Sequence, residues 1–371
     1  MVYWIWLTQI KGIGPKRQRR LLEKFNTPEN IYKKTLEELL ECDGIGYNMA
    51  EKIIKERSLK KAEKILNNVK KQNIKLLTLK NPLYPTEAKN IKEMPVLIYY
   101  KGNLIENSMG VSIVGSRRCS QYGKKVATDA GDYLARENIW VISGMAKGID
   151  SYAHTSCIKA GGYTIAVLGN GLDICYPQEH IELMKKIIQN GAVISEYPPG
   201  TRPDPKHFPR RNLLISGWSY KILVVEAGAK SGALITADYG KKYKRQVLAL
   251  PDNIYSKESI GSNRLIGNGA KIYLSKEQLL INNRYERESA SIDNSSVNHC
   301  ILNELDDMEK RIIEILIAEG EKTLEQLSFF TGINTMNLVE KLSIMELENK
   351  VIIQGSVVKA VCPLETLSKR K

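Results

Sequence analysis

The chain has no run of about 18 consecutive apolar residues, so no membrane-spanning helix is expected. Its first apolar stretch, Val2–Leu7, is too short for a signal peptide and no basic segment precedes it. The expected location is therefore cytoplasmic. The six cysteines, Cys42, Cys119, Cys157, Cys175, Cys300 and Cys362, are scattered and form no CxxC pair. That argues against both a zinc site and a disulfide framework. His154, His180 and His207 fall on different segments without ligand spacing, and no metal or other cofactor is expected. Neither GxxxxGK[ST] nor GxGxxG occurs, which removes the P-loop and the dinucleotide fingerprint.

Acidic charge is also short, with 41 Asp and Glu against 55 Lys and Arg, a net charge of +14. The excess is uneven. Residues 1–75 carry 17 basic and 9 acidic side chains (net +8), residues 76–290 carry 29 and 19 (net +10), and residues 300–349 carry 4 and 11 (net −7). Such a balance favours a polyanionic partner, nucleic acid ahead of membrane, because no basic amphipathic membrane helix is evident. The plainer reading is a generally basic proteome. At 371 residues, with 43% hydrophobic and 26% charged side chains, the composition is that of an ordinary globular protein of two or three domains.

Residues 1–75 read as a helical domain. Gly12-Ile13-Gly14 precedes a helical run from Arg17 to Phe25, and Gly44-Ile45-Gly46 precedes another from Met49 to Lys55. Each is a turn between short helices in which an isoleucine plugs the small core and the next helix N-terminus can face a phosphate. The pair resembles helix-hairpin-helix modules, which hold DNA backbone without reading sequence. Lys16, Arg17, Arg19 and Arg20 flank the first turn. Such domains also serve as protein contacts alone. A further helix is expected from about Leu59 to Asn73.

Residues 76–284 alternate short apolar strands with helices. The strands are expected at Val111–Val114, Trp140–Ile142, Thr164–Leu168, Ala192–Ile194, Ile222–Val225, Val247–Leu250 and Lys271–Leu274. This pattern predicts an α/β, Rossmann-like doubly wound, mostly parallel sheet. Ligands of such sheets bind at the carboxyl ends of the strands. There the sequence places Gly115-Ser116-Arg117, Gly144 with Lys147 and Gly148, Gly169, and Lys230-Ser231-Gly232. A long polar loop from Glu196 to Asn212 adds Phe208, Arg210, Arg211 and Asn212. Glycine turns opening helices, interleaved with Arg, Lys and Ser, predict an edge that binds phosphate. Arg117 can fork onto a phosphate. Phe208 either stacks on a base or anchors its loop in the core. Asp150 and Glu226 flank glycine turns; a catalytic pair is conceivable, and a helix N-cap and a strand-end hydrogen bond are the simpler roles.

At these residues the chain resembles the DNA-processing protein A (DprA/Smf) family. The resemblance runs through Asn81-Pro-Leu-Tyr-Pro85, Ile113-Val-Gly-Ser-Arg117, Ser143-Gly-Met-Ala-Lys-Gly-Ile-Asp150, Val167-Leu-Gly-Asn-Gly-Leu-Asp173 with Tyr176-Pro177, Phe208-Pro-Arg-Arg-Asn212, Ser231-Gly-Ala-Leu-Ile-Thr-Ala237 and Gly261-Ser-Asn263. It departs at Leu213, where the family carries a further arginine after the asparagine, and at Asp252, where a glycine usually follows the proline. The resemblance implies a non-catalytic protein that binds single-stranded DNA without strong sequence preference and forms a homodimer. It also implies that the protein protects incoming strands in natural transformation and loads the RecA recombinase onto them. Two other readings stay open: a phosphoribohydrolase-like enzyme cleaving a nucleotide derivative, and a nucleotide-sensing regulator. The enzyme reading lacks its PGGxGT turn, since the corresponding place reads Glu226-Ala-Gly-Ala-Lys-Ser-Gly232.

Residues 285–300 read as a polar linker. Residues 301–371 show a stripe at Ile312, Ile313, Leu316 and Ile317, a second at Leu324, Leu327 and Phe330, and a third at Leu338, Leu342 and Met345. A hairpin is expected around Gly355, completing a winged helix. Its third helix, Thr335 to Asn349, carries Glu340, Glu346 and Glu348 against Lys341, so a protein-contact or regulatory role is expected ahead of duplex reading.

Overall fold

The structure is a computed structural model that describes residues 1–106, 108–281, 306–347, 351–354 and 357–360. The chain separates into two units, Met1–Ile281 and Asn282–Lys371. The expected linker, the tip of the expected hairpin and the C-terminal tail lie outside the described residues.

The first unit opens with six helices, α1 (Val2–Gln9), α2 (Pro15–Phe25), α3 (Pro28–Lys33), α4 (Leu36–Leu40), α5 (Tyr47–Lys55) and α6 (Lys60–Lys71). Gly12 and Gly44 both adopt positive φ (+84° and +76°), which only glycine takes up readily, and this turns the chain into α2 and α5. Ile13 and Ile45 are buried as expected. The tandem is internally reciprocal. Arg20 on α2 packs against Gly44, and Lys52 on α5, at the equivalent place 32 residues on, lies beside Gly12. Arg19 is not a surface cation. It is buried, and it donates from Nε to Met94 O (3.0 Å) and from Nη1 to Lys89 O (2.6 Å), tying α2 to the α/β region. Of the five basic residues on α2, Arg19 is the one buried, and a pair of carbonyls receives it. Lys16 is ion-paired with Glu93 at 3.0 Å.

Nine strands follow in one sheet: β1 (Lys75–Thr78), β2 (Leu97–Gly102), β3 (Gly110–Val114), β4 (Val141–Ser143), β5 (Thr164–Leu168), β6 (Gly191–Ser195), β7 (Ser219–Val224), β8 (Gln246–Ala249) and β9 (Lys271–Ile272). Their spatial order is β1-β2-β6-β5-β4-β3-β7-β8-β9. From β6 to β9 all pairings are parallel, while β1–β2 and β2–β6 are antiparallel. All seven expected strands are present, and β1 and β2, with the short helix α7 (Thr86–Lys89) between them, extend the sheet beyond them.

The chain winds outward from β3 through β4, β5 and β6, then returns to β3's other side at β7. The switch point therefore lies between β3 and β7. Strand residues alternate between two helical layers. Ile113, Leu223 and Val225 pack with α8 (Gln121–Arg136) and α9 (Ile149–Lys159). Val114, Ile222 and Val224 pack with α11 (His207–Gly217) and α12 (Gly232–Lys242). An intervening helix, α10 (Ile181–Asn190), joins β6's flank through Met184 and Ile187.

The second unit contains helices Asp307–Glu319, Leu324–Thr331 and Thr335–Leu347 and a three-stranded antiparallel sheet of Lys322–Thr323, Val351–Gln354 and Val357–Ala360. Asp306 and Thr323 each form a capping box, with Glu309 and Gln326. Ile312, Ile313, Leu316, Leu327, Leu338, Leu342 and Met345 make the core. Phe330, expected inward, is 41% exposed, while Leu327 and Thr331 in the same turn take the buried positions of this helix. Lys341 is ion-paired with Asp306 and Glu309. No helix among the described residues is long and apolar enough to cross a membrane.

Candidate nucleic-acid interface

The turns after β3, β4, β5 and β7 all open on the carboxyl edge of the sheet. There they line a cleft of about 680 Å³ at the switch point and a small pocket of about 60 Å³ beside it. Gly115, Ser116, Asn212, Lys230, Ser231 and Gly232 line the cleft, Gly144, Lys147 and Gly169 line the pocket, and Arg117, Phe208 and Arg211 border both. Two expected site residues stand apart. Gly148 braces the turns from behind: its φ is +77°, a Cβ there would meet Ser116 O at 2.3 Å, and the next amide, Ile149, donates to that same oxygen at 3.2 Å. Arg210 turns away, pairing with Glu196 (3.0 Å) and donating to Glu93 O (2.6 Å).

Phe208 does not lie in a loop. It sits in the first turn of α11, where Pro209 is tolerated because first-turn amides have no partner within the helix. Its ring is half-buried, with the guanidinium carbons of Arg117 and Arg211 at 5.7 and 5.8 Å from the ring centroid. Tyr176, exposed, adds a second ring at 5.8 Å. Two cations and two aromatic rings thus share one wall.

Arg211 is buried. It donates from Nη1 to Gly144 O and to Val167 O (3.0 Å), and from Nε to Asn212 Oδ1 (3.0 Å). A Cβ at residue 144 would fall 1.8 Å from that Nη1, so glycine is what admits the guanidinium. Asn212 in turn donates to Gly232 O at 3.0 Å. Arg211 and Asn212 therefore lace together the turn after β4, the end of β5 and the start of α12. Burial pushes the Arg211 guanidinium down and the Asp150 carboxyl up, and each shift is countered by the other's charge.

Arg117 and Lys230 are exposed cations on the cleft. Lys147 is ion-paired with Glu179, and both side chains are more than half exposed, so the pair is weak and can open to a phosphate. Ser231 caps α12 by accepting from Ala233 N (3.3 Å).

The two carboxylates considered as a pair are both occupied. Asp150 lies in the first turn of α9 without capping it, and its Oδ2 accepts from Gly144 N (3.1 Å) and Ala146 N (3.3 Å), holding the turn after β4. Glu226 is fully buried and accepts from Ser120 N (2.9 Å), Gly123 N (3.2 Å) and the Ser120 hydroxyl at the start of α8. Sequence reasoning passed over Tyr176, Asn170 and Glu258 as site residues. Tyr176 could have been found from its place just beyond the turn after β5. Among the described residues no cluster of His, Cys, Asp and Glu has the arrangement of a metal site.

A family model described as DNA recombination-mediator protein A matches residues 75–284, and one described as a SAM-like helix-hairpin-helix tandem matches residues 7–60. Protein Smf of Synechocystis sp. is 39% identical over 283 residues, 75% of this chain and 71% of that one. DNA processing protein DprA of Streptococcus pneumoniae is 41% identical over 198 residues, 53% of this chain and 70% of that one. The X-ray structure of the S. pneumoniae protein superposes with a TM-score of 0.65 at 30% identity, covering 79% of this chain and 98% of that one. A structure of DNA processing protein A from Helicobacter pylori, described for its single-stranded DNA binding mode, superposes with a TM-score of 0.50 at 27% identity, covering 55% of this chain and 93% of that one. The chain belongs to the DNA recombination-mediator protein A family, whose relatives carry the names DprA and Smf.

Proposed function

We propose that this protein binds single-stranded DNA in the switch-point cleft and passes the strand to a RecA-type recombinase, without catalysing a reaction itself. The observation that carries the reading is the convergence of Arg117, Lys147 and Lys230 with the Phe208 and Tyr176 rings on one edge. The cations neutralise phosphates, and an aromatic ring stacks on a base of any identity, which suits a strand and not a paired duplex. The family description as a recombination mediator and the single-stranded DNA binding of the H. pylori relative support it. The non-catalytic role rests on Asp150 and Glu226, whose carboxylates hold turns. The buried Glu226 also weighs against the phosphoribohydrolase reading.

In this reading residues 1–75 are a helical accessory domain, 76–284 the strand-binding domain, 285–300 a linker and 301–371 a winged helix. The helix and strand order of the second unit supports the winged helix, and its acidic third helix supports a protein contact there. A homodimer is proposed from the family resemblance, together with exposed Ile272 and Leu274 at the sheet's β9 edge. The test is fluorescence anisotropy of a labelled oligo-dT strand against the full chain at two salt concentrations, with duplex of equal length as competitor. Binding that weakens with salt and resists duplex supports the reading. No strand binding, or equal competition by duplex, overturns it.

A further inference from the structure

The Gly261-Ser262-Asn263 segment touches neither the cleft nor the pocket, yet it fixes a group that does. It opens α13 (Ile260–Gly267), and the amides of Gly261 and Ser262 donate to Ala227 O at 2.7 and 3.2 Å. A Cβ at residue 261 would come within 2.6 Å of the Ala227 and Gly228 oxygens, so only glycine lets the helix dock that closely on the turn after β7. Asn263 staples the preceding loop by donating to Asp252 O (2.9 Å) and accepting from Asp252 N (3.2 Å). Ser259 closes it by donating to Asn253 O at 2.6 Å.

The side chain held by this frame is Glu258. Its Oε2 accepts from the Ser116 hydroxyl at 3.1 Å and lies 4.0 Å from where a Cβ of Gly228 would stand. Ser116 follows β3 and Gly228 follows β7. A carboxylate therefore bridges the two turns that flank the switch point, where sheets of this topology ordinarily receive the phosphates of a nucleotide.

We propose that Glu258 is an anion filter, a specificity-determining residue that keeps free nucleotides out of the cleft while a DNA strand enters. The part concerning the strand rests on the function proposed above. A free nucleoside triphosphate must bring several charges to one place, and the Glu258 carboxylate, exposed on the cleft and hydrogen-bonded to Ser116, repels them there. A strand presents single, spaced phosphates, which Arg117, Lys147 and Lys230 can take. It can turn a sugar hydroxyl or a base amine, both hydrogen-bond donors, towards Glu258.

The test is isothermal titration of ATP into the full-length wild type and Glu258→Gln, which keeps the hydrogen-bonding shape and removes the charge. Glu258→Ala serves as a second variant, and thermal midpoints check folding. The expected result is ATP binding at least about tenfold tighter in both variants at low ionic strength, with the gain shrinking as salt screens it and the gain for oligo-dT smaller. No gain for ATP, or an equal gain for ATP and oligo-dT, overturns the filter. Wild-type anisotropy with oligo-dT reports separately on strand binding. Its absence would undo the function proposed above, and the ATP comparison would still decide whether Glu258 excludes nucleotides.

Discussion

His154 makes the stability of the sheet sensitive to acid in a way that can be calculated. The side chain is fully buried on α9, with Nδ1 2.7 Å from Thr164 Oγ1. The Thr164 hydroxyl donates its proton to Val141 O at 2.7 Å, so it can only accept from the imidazole. The ring therefore carries its proton on Nδ1, and Nε2 is a bare lone pair with no partner among the described residues. Protonating it would bury an unpaired charge, and burial pushes its pKa down from 6.5 to about 3, helped by the positive charges of His180 and Arg211. For a base depressed by folding, the unfolded chain binds the proton first. Stability is then full above the unfolded pKa and falls as pH drops through the window from about 6.5 to about 3.

At about pH 5 the unfolded imidazole is mostly charged and the folded one is not, a difference of roughly 1.5 units or about 2 kcal/mol. The assay is urea unfolding of wild type and His154→Gln at about pH 7.5 and pH 5. The wild type should lose about 2 kcal/mol more than the variant over that interval. The same loss in both proteins would refute the reasoning. Glu93 does not confuse the comparison between about pH 7.5 and pH 5. Burial would raise its carboxyl, but hydrogen bonds from Lys242 and Lys16 outweigh that and bring it from 4.5 to about 2, so its contribution is lost as pH falls from about 4.5 to about 2, below the acid end of that interval.

Further outcomes follow from the same contacts. Arg211→Met should cost about 3–5 kcal/mol in denaturant unfolding, because it strands the buried Asp150 carboxylate and the Gly144 and Val167 carbonyls; a cost below about 1 kcal/mol would mean that Arg211 does not lace the turns. Arg19→Met should cost roughly 2–4 kcal/mol and raise hydrogen exchange across α1–α6, since two charge-assisted bonds to Met94 and Lys89 are lost; unchanged exchange in those helices would contradict the tie.

Much of this architecture was legible because parallel strands buried on both faces read as short apolar runs. Val111–Val114 and Thr164–Leu168 are of that kind. β2 was not read as a strand: its antiparallel pairing with β1 and β6 leaves no strand–helix–strand rhythm, and Leu97–Gly102 stands instead among prolines and a glycine. The start of α11 was hidden because Lys206 offers no capping side chain and Pro209 follows almost at once, so helix residues looked like loop. The cleft's composition came through well, since each strand announces its own following turn. Roles within it did not: whether an arginine meets solvent or carbonyls depends on partners far along the chain, as Arg19, Arg210 and Arg211 each show. Glu258 was invisible for the same reason, since its place depends on Gly261 docking against Ala227.

The most direct test of the central claim is a double-mutant comparison on single-stranded DNA. Affinity for labelled oligo-dT would be measured for wild type, Arg117→Ala, Phe208→Ala and the double variant, with thermal midpoints alongside. Phe208→Ala is expected to lose roughly 1–3 kcal/mol of binding at every salt concentration. Arg117→Ala is expected to lose affinity mainly at low salt and to flatten the salt slope by about one unit. Strand affinity unchanged in both single variants, with folding intact, would place the DNA elsewhere on the protein and contradict the account.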